Sequence, residues 1–487
     1  MRVTWLTVAV IVAMGVGALA GPVSDDDPPL EPGLHQLEFE FEHDGETEPR
    51  RYGVYLPPEV KSALSADGRK LPLVVFLYGT GSRGLDERGL QAEGPLAAAR
   101  GHASFRKSID YAILVPQIDR RERYENARSG AFIAEATRRA IKRWPIDPDR
   151  VYLVGMSMGG GGVWYAGLAA PELYAAAASF AGHAHKEPAK VAAALKDKPI
   201  FITVGSVDGR FFKGSQRMAA AFEEVDADLT YFTIAGRGHN VWNSYLGREA
   251  FYDWLLKHRR GGPPPKDRAS GEEMLNWALN PPGDPKYHAF VKRMKEEFAE
   301  FAPWWHLEHC GMVEGAGLRE ERLGREGVFV THPLNGRVPC RIMITAKIPE
   351  GERTTLHVEA GHAEGETWRL RVYVDGRQRL KTVVGKGKGG GEKNEEEVAA
   401  DGGADVEAEG EDRGEEARGA GLWHEYEVDM TDDAGEEVFV EILSEGEGRG
   451  DARATWGRIE LVSEPLDASP EHSDRTSGAS SGASARD

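Results

Sequence analysis

Between residues 34 and 260 short apolar runs recur: "LPLVVFLYG", "YAILVPQ", "VYLVGM", "AAAASFAG", "PIFITVG" and "LTYFTIAG". Each closes on a glycine or a turn, and amphipathic stretches such as "SGAFIAEATRRAIKRW" and "RFFKGSQRMAAAFEEV" lie between them. A strand that is apolar throughout must be covered on both faces, and a helix between two such strands supplies the cover. The pattern therefore predicts an α/β unit with a mostly parallel sheet and helices on both sides. "HQLEFEFEH" and "RRYGVYLP" alternate apolar with polar residues instead, as half-exposed edge strands do.

The rhythm then changes. "GGPPPKDR" at residues 261–268 breaks the alternation, and "SGEEMLNWALN" and "AFVKRMKEEFAEFAPWW" follow with helical spacing, so residues 261–308 read as a Pro-rich linker and helical connector. Ser270 and Glu273 stand three apart, as in a capping box. From 309 to 463 the period becomes two, in "GVFVTHPL", "RIMITAKIP", "TTLHVEAGHA", "WRLRVYVDG", "WHEYEVDM", "EVFVEILSE" and "TWGRIELVS". Strands without intervening helices predict an all-β sandwich. Residues 385–420, rich in Gly and Glu, cannot bury a core and are expected to be a disordered acidic insertion; the Ser/Gly-rich tail 464–487 is expected to be disordered too.

Residues 1–20 carry a basic Arg2, an apolar core and a small-x-small end at Ala18-Leu19-Ala20, the signature of a cleaved export signal. The apolar core falls short of the roughly 20 residues that a membrane span needs. The expectation is an exported protein, periplasmic or extracellular, with no stable membrane span after cleavage. A formal charge of −19 argues against a nucleic-acid partner, since a phosphate backbone selects a basic face. The two cysteines, Cys310 and Cys340, are either a disulfide of that oxidising compartment or a pair of buried thiols.

Gly-x-Ser-x-Gly occurs twice, as "GMSMG" around Ser157 and as "GASSG" at residues 478–482. Only the first follows a strand-like run, "RVYLV", and precedes a helical pattern, the setting in which a serine is presented at a tight strand–helix turn. A serine hydroxyl needs a base, and the base an orienting acid. After Ser157, "FITVGSVDGRFF" places Asp208 beyond one strand and "FTIAGRGHNVW" places His239 beyond the next, both at carboxyl ends. Asp226 and Asp228 precede the last strand and belong at its opposite end. His183 and His185 also follow a strand but come before the acid in chain order. The developing oxyanion would be met by the backbone N–H groups of Met158 and, from "FLYGTGSRG", of Thr80. Tyr78, His183, Trp242 and Tyr245 are the candidates for a substrate pocket.

The segment "LVVFLYGTGSRGLD…EGPLA…YAILVPQ…IDPDRVYLVGMSMGGGGVWYAGLAAPELYAAAASFAG…FITVGSVDGR…GHNVW" resembles exported α/β-hydrolases of the putative esterase group. That group takes in feruloyl and acetylxylan esterases, polyhydroxybutyrate depolymerases and prolyl-oligopeptidase-like peptidases. The resemblance covers residues 50–257 and implies an α/β-hydrolase domain over 34–260 with a Ser157–Asp208–His239 triad. The group usually has His-Gly before the oxyanion turn where this chain has Tyr78-Gly79, which bears on loop support and substrate contacts. The second half is similar to jelly-roll modules of the galactose-binding type, in which Trp368, Trp423 and Trp456 either stack on sugar rings or fill the core.

The resulting expectation is a serine carboxylester hydrolase that needs no cofactor and no metal. Its expected substrate is an acetyl or feruloyl ester on a polysaccharide, held partly by the β domain. A polyester depolymerase, a short serine peptidase and a catalytically silent binding protein remain the alternatives. "WWHLEHC" brings His306, His309 and Cys310 together, but without a fourth ligand at matching spacing it reads as packing rather than zinc.

Overall fold

A computed structural model describes residues 23–24, 31–64, 68–84, 87–281, 285–385, 422–446 and 453–466. The export signal at 1–20, nearly all of the acidic insertion and nearly all of the tail, with its "GASSG", lie outside the described residues. The chain divides into two compact units. One comprises Met1–Tyr287 with Arg337–Pro339 and Tyr373–Gln378; the other His288–Gly336, Cys340–Val372 and Arg379–Asp487. The stretch read as a connector is split between them: the helix Gly271–Leu279 falls in the first unit, and the helix Pro285–Phe301, from His288 onward, in the second.

The first unit is built on a nine-stranded sheet among the described residues. Its strands are β1 (Val23–Ser24), β2 (Gly33–His43), β3 (Glu46–Leu56), β4 (Leu71–Leu77), β5 (Ala112–Pro116), β6 (Ile146–Met156), β7 (Ala176–Phe180), β8 (Ile200–Gly205) and β9 (Leu229–Ile234). The spatial order is β1-β2-β3-β5-β4-β6-β7-β8-β9. From β5 to β9 neighbours pair in parallel, and β2 and β3 form an antiparallel edge hairpin. Every residue of β4, β5, β7 and β8 is buried, as their unbroken apolar sequences require. On β2, Leu37, Phe39 and Phe41 are buried in alternation with glutamates, the period expected of a strand with one wet face.

Chain direction across the sheet reverses at its centre. From β4 the chain passes to β5 on one side, then returns to β6 on the other. A crevice opens beyond the carboxyl ends of strands at such a reversal. The turn after β4 and the turn after β6 both end there.

The second unit, with the end of β15 and the start of β16 counted in the first, carries two five-stranded sheets built from β10 (His306–Glu308), β11 (Gly317–Arg322), β12 (Arg325–Thr331), β13 (Cys340–Lys347), β14 (Glu352–Gly361), β15 (Trp368–Val374), β16 (Arg377–Val384), β17 (Trp423–Asp429), β18 (Glu437–Gly446) and β19 (Ala454–Pro465). One sheet runs β10-β13-β18-β15-β16, the other β11-β12-β19-β14-β17, with antiparallel pairings. Trp368 and Trp456, one from each sheet, meet in the core with ring centroids 5.0 Å apart and no exposed surface. Their indole N–H groups donate to the Gly361 carbonyl and the Thr331 hydroxyl. Both are therefore packing residues; of the three tryptophans read as sugar-stacking candidates, only Trp423 is half-exposed. A disulfide joins Cys310 to Cys340, so Cys310 has no thiolate to offer a metal.

Candidate active site

Ser157 caps the helix Met158–Ala169 at φ 53° and ψ −122°, a conformation that a non-glycine residue holds only when its surroundings impose it. The imposition comes from close crossing of strand and helix. A Cβ on Gly155 would stand 2.1 Å from the Gly159 carbonyl oxygen, and one on Gly159 would stand 2.0 Å from that of Leu77. The Ser157 N–H is fixed by the Phe180 carbonyl at 2.8 Å. The glycine run after β6 thus lets the helix start against the sheet, and the serine sits at the bend.

Asp208 and His239 arrive from β8 and β9, the last two parallel strands. Their loops zip together: the Val207 N–H donates to the Arg237 carbonyl at 3.2 Å, and the Gly236 N–H to the Ser206 hydroxyl at 2.9 Å. Gly205 makes this approach feasible, since a Cβ there would lie 1.9 Å from the Arg237 carbonyl oxygen. The outcome is one hydrogen-bonded row. His239 Nε2 is 2.7 Å from Ser157 Oγ, and His239 Nδ1 is 2.8 Å from Asp208 Oδ2 and 3.1 Å from Oδ1. A carboxylate only accepts, so Nδ1 carries the proton, Nε2 is the acceptor, and the serine hydroxyl donates to it.

Burial grades along the row. Ser157 is 8% exposed and the Asp208 side chain 8%, whereas the His239 side chain is 32% exposed, at the mouth. Burial pushes the Asp208 carboxyl up, while the hydrogen bond and charge of His239, then the charge of Arg210, draw it back. The His239 ring lies between Phe211, at 4.1 Å between centroids, and Trp242, at 5.0 Å and nearly perpendicular. His183 stacks on Phe211 at 4.2 Å. Burial, then the charges of Arg210, Arg123 and His239, hold His183 down to about 4, which keeps it neutral at physiological pH.

Met158 is the first residue of its helix and Thr80 the first of the 3-10 turn Thr80–Ser82, so both N–H groups are of the kind that finds no acceptor within its own helix. Among the pocket candidates, His183 and Trp242 are half-buried beside the row. Tyr78 and Tyr245 do not line a pocket. Tyr78 is 1% exposed, and its hydroxyl accepts the Ile118 N–H at 2.9 Å. Tyr245 is fully buried and donates to the Met274 carbonyl at 3.1 Å. A large aromatic with one polar atom fills a core well once that atom finds a partner. Tyr78, standing where the resembling group has His, is thus a strut beneath the turn after β4.

Asp228 pairs with Arg268 at the far end of β9. His185 packs on Tyr165 and accepts the Glu187 N–H, away from the row. Phe211, which no motif singles out, is one residue that sequence reasoning missed; its only signal was an aromatic doublet at the start of an amphipathic helix. Among the described residues no cluster of three or more His, Cys, Asp or Glu could hold a metal ion, and no helix is long and apolar enough to cross a membrane.

Residues 111–248 match the model of the dienelactone hydrolase family, a stretch that includes Ser157, Asp208 and His239. No curated protein matches the chain. Among solved structures, part of the chain is similar to a thermostable esterase at 23% identity and TM-score 0.40, over 46% of this chain and 63% of that one. Part is similar to a ferulic acid esterase at 15% identity and TM-score 0.34, over 43% and 92% of the two chains. An acetyl xylan esterase from Aspergillus awamori gives 14% identity and TM-score 0.31, over 39% and 89%. The mostly parallel sheet, its covering helices and the serine turn after β6 make the first unit an α/β-hydrolase fold, followed in the chain by all-β sheets.

Proposed function

We propose that the protein is a serine hydrolase of carboxylic esters. One observation carries the reading: the row in which the Ser157 hydroxyl faces His239 Nε2 at 2.7 Å while Asp208 accepts from Nδ1 at 2.8 Å. The match of this region to a family named for hydrolysing a lactone, a cyclic ester, supports it. In this reading Ser157 Oγ attacks the ester carbonyl and His239 Nε2 takes its proton. Asp208 holds the ring in the required tautomer and stabilises the imidazolium. The N–H groups of Met158 and Thr80 meet the oxygen that gains charge. The imidazolium then protonates the leaving alcohol, and water, activated by the same ring, frees the acyl group.

The proposed substrate is an acetyl or feruloyl ester of a polysaccharide met outside the cytoplasm, a reading supported by the signal-like N-terminus. The test is initial-rate hydrolysis of p-nitrophenyl acetate, acetylated xylan and feruloylated oligosaccharides by wild type and Ser157→Ala. Turnover by wild type, lowered by at least about 10⁴-fold in the variant, is expected. Turnover of aminoacyl-nitroanilides without ester cleavage would replace the reading with a peptidase.

A further inference from the structure

Of the two side chains that fix the turn after β4, neither belongs to the serine row, and "EGPLA", though part of the sequence likeness, has no role in the chemistry above. Glu93 Oε2 accepts the Gly79 N–H at 2.9 Å. The Gly79 carbonyl accepts the Ser82 N–H at 3.2 Å. The Thr80 carbonyl accepts from Arg83 twice, from Nε at 3.0 Å and from the backbone N–H at 3.4 Å. Arg83 also donates through Nη1 to the Glu122 carbonyl at 3.4 Å, and the Gly84 N–H donates to the Ile118 carbonyl at 3.0 Å, tying the turn to the loop after β5.

Among the described residues the N–H groups of Thr80 and Gly81 are the ones left without a partner at the start of this turn. In a trans peptide the N–H points opposite to the carbonyl of the same unit. With the Gly79 carbonyl turned to Ser82, the Thr80 N–H faces the other way. It also adjoins Gly79, whose Cβ position would lie 3.5 Å from the Ser157 Cβ and 3.3 Å from Glu93 Oε2. Glu93 itself is held by its helix start, Gly94–Gly101: Gly94 has φ +70°, and a Cβ there would enter the Phe76 ring at 2.1 Å.

We infer that Glu93 and Arg83 are positioning residues that clamp the turn so that the Thr80 N–H serves as an oxyanion donor. The inference rests on the ester-hydrolase reading and names the side chains that build its donor. A carboxylate here holds one amide and touches no reacting atom. Its effect therefore falls on the transition state, where the donor must already be aimed. Removing the acceptor frees the Gly79 peptide to rotate, and the Thr80 peptide with it.

The test compares wild type, Glu93→Ala, Glu93→Gln and Arg83→Met in two measurements: kcat and KM on p-nitrophenyl acetate, and the rate of Ser157 modification by a fluorophosphonate. Both reactions build negative charge on an oxygen beside Ser157. Glu93→Ala is expected to lower kcat and the modification rate roughly 10- to 100-fold at nearly constant KM, with Arg83→Met in the same direction. Glu93→Gln, whose amide oxygen still accepts, is expected to restore most of both. Wild-type rates in Glu93→Ala, equal losses in the Ala and Gln variants, or a change confined to KM would overturn the clamp. Wild type that is modified by the probe but cleaves no ester sinks the esterase reading and leaves the clamp to be decided by the modification rates. Wild type that is not modified overturns both.

Discussion

At the scale of single residues the site is a set of constraints on hydrogen-bond roles. His239 can be a base only while its Nδ1 proton is held by an acceptor, and Asp208, with its side chain 8% exposed, is that acceptor. Asp208→Asn keeps size and shape but offers an N–H to the ring, which favours the wrong tautomer. The variant is expected to fold normally and to lose about 10⁴-fold in kcat on a p-nitrophenyl ester, read by steady-state kinetics. A loss below tenfold would mean that another acid orients the ring. The three residues of the row were legible in sequence because each follows its own apolar strand. Tyr78 and Tyr245 were misread because depth is not a sequence property: a tyrosine two residues from a loop motif and one buried under a helix look alike until the helix Gly271–Leu279 is placed. Phe211 and Glu93 escaped for a related reason, since neither residue type announces a ring contact or an amide partner from fourteen or more positions away.

The elements carry these residues to one place by local rules. Six apolar runs became β4 to β9, and the central reversal at β4, β5 and β6 sets the Thr80 turn beside the Ser157 turn. That reversal was not readable from the strands themselves, because parallel strands buried on both faces are interchangeable in composition; crossover direction decides their order. Capping, by contrast, was readable. Ser270 accepts the Glu273 N–H at 3.2 Å and Glu273 accepts the Ser270 N–H at 2.8 Å. Ser270→Ala is expected to cost about 1 kcal/mol, seen as a lower urea midpoint at unchanged slope. An unchanged midpoint would show that the helix draws its stability from Met274, fully buried, and the Tyr245 bond rather than from its cap.

For the whole molecule, titration of buried histidines sets how stability responds to acid. Burial lowers the pKa of His183, His185, His258, His309 and His424 from 6.5, taking His183 and His309 to about 4. Below pH 6.5 the unfolded chain binds protons that these folded rings refuse, so stability rises with pH across this window. Asp208 and Glu125, both raised by burial, act in the opposite sense but are two groups against five. Urea denaturation is expected to give a midpoint that falls from pH 7 to pH 4 and goes on falling below, where Glu48, Asp147 and Asp429, held low by hydrogen-bonded partners, lose their charge; a flat profile from pH 7 to pH 4 would contradict the burial of these rings. The β-rich half was legible as a class, through its period of two, while the split of the chain at His288 was not, because helical spacing runs unbroken from Lys286 into that helix. The measurement that bears most directly on the central claim is peptide mapping by mass spectrometry after treatment with a fluorophosphonate. A single adduct on Ser157, absent from Ser157→Ala, is the predicted result; a folded protein left unmodified, or an adduct on another serine alone, would contradict it.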